Sequence, residues 1–412
     1  MKIVQVPVGC ARMPPQDCGA PLQVIFHTSK HLAQMGHEVA ILDSRYYPDD
    51  KAIEYVDGVK IVRLSFRKMP VPASPRIPRY LRFALNELNA ILFALRASRY
   101  LAKKGNDIDI VHLHVTSVGL ILCFLNRKLR SKMFYTSHLG QWALRGTTRL
   151  TLLEKVHVSF DAYLMKRVAK VIALSELARD SFISVGKVKP ENVVVTPNGV
   201  DTQFFNPTIN VEAIRTKYDL EGKLTVLFVG QLTKIKGVEH LIKAANIIIN
   251  EFGRINVVFM LVGPLTFGTL EKPIDMEEML GYIRRHNLER NILFTGPLAL
   301  DEVRMLYVAS DIFVLPSLAE GDPLVVVEAM ASGRPVIASR VGGIPHKIRD
   351  GWNGFLIDPA NEQQLADKIK YLVDNPEERR SMGANSRKYA EEQFDWKKVA
   401  ERLSSIYLCA LT

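Results

Sequence analysis

Cysteine is scarce and unpatterned: four residues, Cys10, Cys18, Cys123 and Cys409, with no Cys-x-x-Cys pair among them. That spacing excludes a zinc knuckle and a disulfide framework and reads as reduced thiols inside a cell. Long apolar runs are missing as well. The stretch 1–8 is short and broken by Pro7, far below the core of a signal peptide, and no segment approaches the ~18 consecutive apolar residues of a membrane span. The expectation is a protein that is neither secreted nor membrane-spanning. Aromatic residues make up 8% of the chain and do not interleave with basic ones as single-stranded nucleic acid requires. No helix-turn-helix or RNA-recognition signature appears, so nucleic acid is not an expected partner.

What is present is apolar material for two cores, 48% of 412 residues, in a length that favours two or three domains. The charge is lopsided. Residues 1–200 hold 29 Lys and Arg against 15 Asp and Glu, whereas residues 201–412 hold 25 against 28, so the net +11 belongs to the first half. A polyanionic partner is expected there, anionic lipid or a phosphorylated molecule once nucleic acid is set aside.

Val- and Ile-rich runs at 1–8, 37–43, 59–66, 108–114, 132–138, 170–175 and 192–196 alternate with helical patterns. The rhythm restarts at 224–230, 256–262, 291–295, 311–315, 334–338 and 353–357. Nearly continuous apolar strands are buried on both faces, as in parallel sheets covered by helices. Two such series predict an α/β protein of two Rossmann-like, doubly wound domains, residues 1–200 and 201–395, facing a shared cleft. The break falls at Pro197-Asn198-Gly199-Val200-Asp201, and a last helix is expected within 396–412.

The apolar run from Asp311 to Ser317 leads to Glu320, and the turn Gly321-Asp322-Pro323 opens, at Leu324, a helix that carries Glu328 about one and a half turns in. Two acids eight positions apart are thereby aimed at one crevice at the carboxyl end of a strand, where open parallel sheets bind ligands. Taken singly, either acid reads as a solvated charge at a helix start. Upstream, Gly230-Gln231-Leu232-Thr233-Lys234-Ile235-Lys236-Gly237 joins a strand to a helix. Lys236 stands at the helix mouth, where a point charge adds to the N-terminal dipole and suits a diphosphate.

The first half has its own set. Asp17-Cys18-Gly19-Ala20-Pro21 precedes an amphipathic helix, and Phe134-Tyr135-Thr136-Ser137-His138 ends a strand in histidine. Alone, such a histidine is more often a structural hydrogen-bonder. His112 and His114 alternate on one strand and share a face; they read as structural, with His114 the nearer to the cleft and no third ligand to complete a metal site. Residues 79–104 form an amphipathic helix with Arg79, Arg82, Asn86, Asn89, Arg96, Arg99 and Lys103 on one face and Leu81, Phe83, Leu88, Leu92 and Leu95 on the rest. With the proline-dense stretch before it and Arg127-Lys128-Leu129-Arg130-Ser131-Lys132 after it, residues 66–104 and 127–132 have the composition of a membrane-surface contact. A domain-packing helix with a solvated basic face fits equally.

Taken in this order, these segments resemble the retaining glycosyltransferases of family 4, the glycosyl transferases group 1, and the likeness runs over essentially the whole chain. The resemblance implies the GT-B fold, with the last helix, within 396–412, crossing back to the first domain, and transfer of a sugar from a nucleotide-sugar, UDP- or GDP-linked, to an acceptor hydroxyl with retention of configuration. No metal and no other cofactor are implied, and no Asp-x-Asp motif suits a metal-dependent transferase. Glu320 would hold the donor sugar and Glu328 the ribose of the nucleotide. Gly321, Asp322, Pro323 and Leu324 would line the sugar, with Pro323 withholding a backbone N–H and Asp322 accepting from hydroxyls or disfavouring an acidic donor. Lys236, helped by Lys234, would carry the diphosphate, since Gln231 stands where the family most often has arginine. Gly19 and Ala20 correspond to the Gly-Gly-Ala loop, with Cys18 in place of the first glycine. His138 would contact the sugar near its anomeric carbon, making His138, Glu320 and Lys236 the expected catalytic set. The acceptor is expected to be a lipid-linked or phosphorylated glycan, and the location cytoplasmic, peripheral on the inner face of the cell membrane. Two other readings stay open: a nucleotide-sugar epimerase on the same fold, and a non-catalytic polyanion-binding protein.

Overall fold

Runs of β-branched residues that would be too apolar for a solvated surface lie between two layers of helices in each half of the chain. The structure, a computed structural model, describes residues 1–7, 12–14, 20–45, 47, 49–66, 69, 71, 79–138, 142, 152–265 and 274–411. They fall into two compact units, Met1–Asn198 with Trp396–Thr412, and Gly199–Asp395.

The first unit contains β1 (Lys2–Val6), α1 (Ala20–Gln34), β2 (Glu38–Ser44), β3 (Ile53–Val56), β4 (Val59–Leu64), α2 (Arg79–Lys104), β5 (Ile110–Leu113), α3 (Thr116–Leu125), β6 (Met133–Thr136), α4 (Leu152–Met165), β7 (Lys170–Ala173), α5 (Glu176–Ser184) and β8 (Val193–Val195). Its sheet order is β3-β4-β2-β1-β5-β6-β7-β8, parallel throughout except for β3 against β4. Alternation along each strand feeds two cores. Val4, Val6, Val111 and Leu113 pack under α2, α3, α4 and α5, whereas Ile3, Ile110, Phe134 and Ile172 face the opposite helix layer, which includes α1.

The second unit contains α6 (Glu212–Lys217), β9 (Leu224–Val229), α7 (Val238–Asn246), β10 (Val257–Val262), α8 (Met276–Arg285), β11 (Ile292–Gly296), α9 (Leu300–Ala309), β12 (Ile312–Leu315), α10 (Leu324–Ala331), β13 (Val336–Ser339), β14 (Gly354–Ile357), α11 (Glu362–Asp374) and α12 (Pro376–Tyr389). All its pairings are parallel, in the order β11-β10-β9-β12-β13-β14. That is a doubly wound order with its reversal between β9 and β12. The final helix, α13 (Trp396–Leu411), belongs to the first unit and packs on α1. It is pinned there by Trp396 stacked on His27, by Ser404 bonded to His37 and by Tyr407 bonded to His112.

Two elements depart from the sequence reading. Strand β3 is absent from the expected set because Ile-Glu-Tyr-Val alternates polar and apolar side chains on an edge, with Tyr55 68% exposed; it pairs with β4 through the turn Asp57-Gly58, both at positive φ. In α2 the expected basic face includes Asn89, which instead is buried and clasps the backbone of Met69 through both amide atoms. The helix packs inward through Phe93, Ala94, Ala97 and Leu101, leaving Leu81, Leu88, Ile91 and Leu95 exposed. No helix among the described residues is long and apolar enough to cross a membrane.

Candidate active site

At the reversal between β9 and β12 the connecting chains leave in opposite directions, which opens a crevice at the carboxyl ends of those strands. Two loops fill its rim. After β9, residues 230–237 end in a 3-10 turn, Lys234–Lys236, and Gly237 at φ 70°, from which α7 starts. After β12, Pro316 and Ser317 lead to Glu320. The loops touch backbone to backbone: Leu318 N–H donates to Ile235 O at 2.7 Å, and a Cβ on Gly237 would sit 1.9 Å from Pro316 O. Only glycine fits both the positive φ and that approach. Lys236 Nζ thereby reaches both carboxylate oxygens of Glu320, at 2.8 and 3.0 Å, and Ser317 Oγ donates to Glu320 Oε1 at 2.7 Å. Lys234 turns aside to Glu239, 3.3 Å away.

The Glu320 loop is held from below by residues far along the chain. Gly343 N–H donates to Gly321 O at 2.7 Å, and Gly342, at φ 54°, has no room for a Cβ, which would fall 1.9 Å from Glu320 O. Asp322 does not turn its carboxylate to the crevice. Its Oδ1 lies 2.7 Å from Lys347 Nζ, and the two side chains are 1% and 0% exposed. Phe394 flanks the ammonium, 5.4 Å from its ring centre. The hydroxyl contact expected of the Asp322 side chain is thus replaced by a buried ion pair; Gly321, Pro323 and Leu324 lead from it into α10.

Glu328 occupies the fifth position of α10. Its Oε2 accepts from the hydroxyl of buried Tyr307, on α9, at 2.9 Å. Glu328 keeps a partial opening to solvent, yet the surrounding protein, by withholding water from the charged form, pushes its carboxyl up to about 7, with the Tyr307 bond pulling the other way. Raised above its ordinary 4.5, this group makes folding less favourable as pH climbs from about 4.5 to about 7, because the native state holds a proton that the unfolded chain has released.

In the first unit the reversal lies between β1 and β5, and histidines collect there. His114 N–H donates to Val6 O, across from β1. Its Nε2 lies 2.8 Å from Gln5 Oε1 and its Nδ1 3.2 Å from His138 Nε2, with the His112 ring tilted 34° alongside, ring centres 4.2 Å apart. With Gln5 accepting, His114 Nδ1 must accept from His138, so the remaining nitrogen of His138 is an acceptor. Burial pushes His112 down to about 3 and His138 to about 4, and holds His114 well below its usual range. All three rings are neutral at pH 7, so His138 offers a hydrogen bond and no charge. His138 joins His114 as a link in a hydrogen-bonded chain, while His112 bonds Tyr407 and Thr136. Among the described residues no group of three His, Cys, Asp or Glu is arranged to hold a metal ion.

Of the expected site residues, the structure joins Lys236 to Glu320, gives Glu328 to Tyr307, and places Gln231 partly exposed in the loop between them and β9. Gly19 lies outside the described residues, and Ala20 opens α1. Ser317, Tyr307, the glycine pair 342–343 and Lys347 were not foreseen. Of these only the Gly-Gly pair after a strand carries a local signal, a close backbone approach.

Two family models match the chain, Glycosyltransferase Family 4 over residues 23–204 and Glycosyl transferases group 1 over residues 210–389. Among curated relatives, an MMP alpha-(1->4)-mannosyltransferase of Mycolicibacterium hassiacum is 27% identical, the alignment covering 95% of this chain and 94% of the relative. A D-inositol 3-phosphate glycosyltransferase of Corynebacterium aurimucosum is also 27% identical, over 96% and 92%. Among solved structures, sucrose-phosphate synthase of Thermosynechococcus elongatus superposes with a TM-score of 0.81 at 23% identity, covering all of both chains. Anabaena HepE in complex with UDP-glucose gives 0.75 at 19%, over 99% of this chain and 100% of its own. The folds agree from end to end, and both halves carry their own family signature: this chain is a glycosyltransferase of family 4, group 1, with the GT-B fold.

Proposed function

We propose that the chain is a retaining glycosyltransferase that needs no metal and moves a sugar from a nucleotide-sugar to a hydroxyl of a lipid-linked or phosphorylated glycan. The observation that carries this reading is the meeting of Lys236 and Glu320 at the crevice of the second unit, beside the start of α7. An ammonium and a helix N-terminus stabilise a departing diphosphate, while a fixed carboxylate accepts from sugar hydroxyls. Glu328 is assigned to the ribose and His138, neutral and accepting, to the sugar. No carboxylate base for the acceptor is needed if the leaving diphosphate takes its proton. The UDP-glucose carried by Anabaena HepE supports a uridine donor, and the inositol phosphate in the name of the corynebacterial relatives supports a phosphorylated acceptor.

A thermal-shift series with UDP-, GDP- and ADP-sugars tests the donor, because a ligand bound only by the folded state raises apparent stability. One base is expected to give a shift that Glu328→Ala abolishes. The affinity should grow as pH rises toward about 7 and level off above it, since the ionised carboxylate accepts both ribose hydroxyls. Glu328→Gln should bind weakly and without that pH dependence. A shift equal in wild type and Glu328→Ala would remove Glu328 from the site.

The first unit is proposed to work at an anionic membrane surface, on the cytoplasmic side. Helix α3 packs between α2 and α4, and this layer exposes Leu81, Leu88, Leu95, Phe124 and Phe160 beside exposed Arg96, Arg99, Arg127 and Lys128. Apolar side chains among cations are what an anionic bilayer interface binds. Vesicles containing anionic lipid should sediment the protein at low salt and release it at high salt; equal partitioning into neutral and anionic vesicles would count against this.

A further inference from the structure

A cavity of 770 Å³ in the first unit opens at the carboxyl edge of its sheet. Its walls are carbon: Leu22 and Ile25 from α1, Ile91 from α2, Leu120 and Ile121 from α3, and Phe160 from α4. His138 and His114 stand at the strand ends within it. Two hydroxyls on the wall, Thr116 and Tyr135, are already committed. Both donate to Asp161 Oδ1, Thr116 at 2.8 Å, while Ser137 and Trp142 donate to Oδ2, each at 2.7 Å. Glu87, Ser117 and His157 complete the polar lining, and among the described residues no Lys or Arg lines the cavity. A bare sugar phosphate would find no cation here and few donors to replace its water. A hydrocarbon would lose nothing.

We propose that this cavity takes the apolar chain of the acceptor, a prenyl or acyl group, leaving the hydroxyl to be glycosylated at the His138 end. The assignment rests on the glycosyltransferase reading and narrows its acceptor from a lipid-linked or phosphorylated glycan to a lipid-linked one. Access is built into the same helices. Ile91 and Phe160 are 40% and 52% exposed at the lip, and Leu88, Leu95 and Phe124 continue the apolar surface outward on α2 and α3. A chain leaving a bilayer would thus pass from one apolar surface to the next. The volume is within the range of pockets that enclose drug-sized ligands.

The test is a series of n-alkyl β-D-glucosides, methyl to decyl, each below its micelle concentration, titrated onto the full chain by calorimetry. Affinity is expected to rise about fourfold per methylene until the cavity is full. Ile121→Trp, which narrows the cavity, and Phe160→Glu, at its exposed lip, should each lower the slope of the series while the nucleotide-sugar thermal shift persists, which shows that both variants fold. A flat series in the wild type overturns the proposal. So does a steep series unchanged by Ile121→Trp but lost in Leu88→Glu, which would be adsorption to the outer surface. A steep series in a chain that shows no nucleotide-sugar shift overturns the acceptor assignment together with the transferase reading; a donor shift with a flat series overturns the cavity assignment alone.

Discussion

Replacing Lys236 with alanine is expected to lower kcat/KM by about 10²–10³, with most of the loss in kcat. In the free enzyme Lys236 spans both oxygens of Glu320, so its charge is held in place before the donor arrives. A preorganised ammonium is worth most where charge develops, on the diphosphate as the glycosidic bond opens, and less against the intact donor, whose diphosphate is already charged. Gln231 sharpens this expectation, because no guanidinium from that position shares the load. The variant also removes the ammonium from Glu320 while Ser317 still donates to it, so a displaced carboxylate contributes to the effect. Glu320→Gln separates the two, since it keeps Lys236 and removes the carboxylate's charge. If Lys236→Ala acts only through Glu320, both variants and the double variant will lose the same amount; additive losses assign a direct role to the lysine. A Lys236→Ala enzyme with wild-type kcat and a raised KM would remove the lysine from transition-state stabilisation altogether.

Much of the fold was legible because buried parallel strands leave an unmistakable trace: continuous Val and Ile runs bounded by turn residues, as at 224–229 and 257–262. Strand β3 escaped because an edge strand with one wet face has no such run. The site divides the same way. The positions of Glu320, Glu328 and Lys236 at the crevice were readable because each sits at a fixed distance from a strand end. The Lys347 partner of Asp322 was not, since an ion pair across 25 positions leaves no periodic mark in either segment. Asp161 is hidden for a related reason: midway along α4 an acid ordinarily reads as solvated, and only the tertiary arrangement of Thr116, Tyr135, Ser137 and Trp142 around it shows a buried carboxylate. Burial raises its pKa, and the four donors work against that rise. The exposed leucines of α2 show a further limit. Hydrophobic periodicity located an amphipathic helix but not which apolar stripe, the Phe93 side or the Leu88 side, would meet the sheet.

Breaking the Asp322–Lys347 pair should produce a large stability effect in the second unit. Neither side chain has appreciable access to water, so removing one partner takes the nearest counter-charge from the other in a medium that solvates it poorly. Asp322→Asn or Lys347→Met is expected to cost about 3–5 kcal/mol of stability, read as an earlier unfolding transition in calorimetry of the full chain. Replacing both, Asp322→Leu with Lys347→Met, should recover most of the loss, because the pair's mutual attraction mainly offsets its own desolvation. Function should not recover in parallel. Asp322 follows Glu320 by two residues, and a Cβ on Gly343 would already lie 2.6 Å from its Oδ1, so the pair, the Gly342-Gly343 turn and the Glu320 loop are packed as one body. An apolar replacement keeps the volume but not the anchor that turns this loop toward Lys236. The double variant is therefore expected to melt near the wild type while losing donor affinity. Single variants that melt within about 1 kcal/mol of the wild type would show that water or a shifted backbone reaches the pair; a stable double variant with full donor affinity would show that the loop holds its course without it.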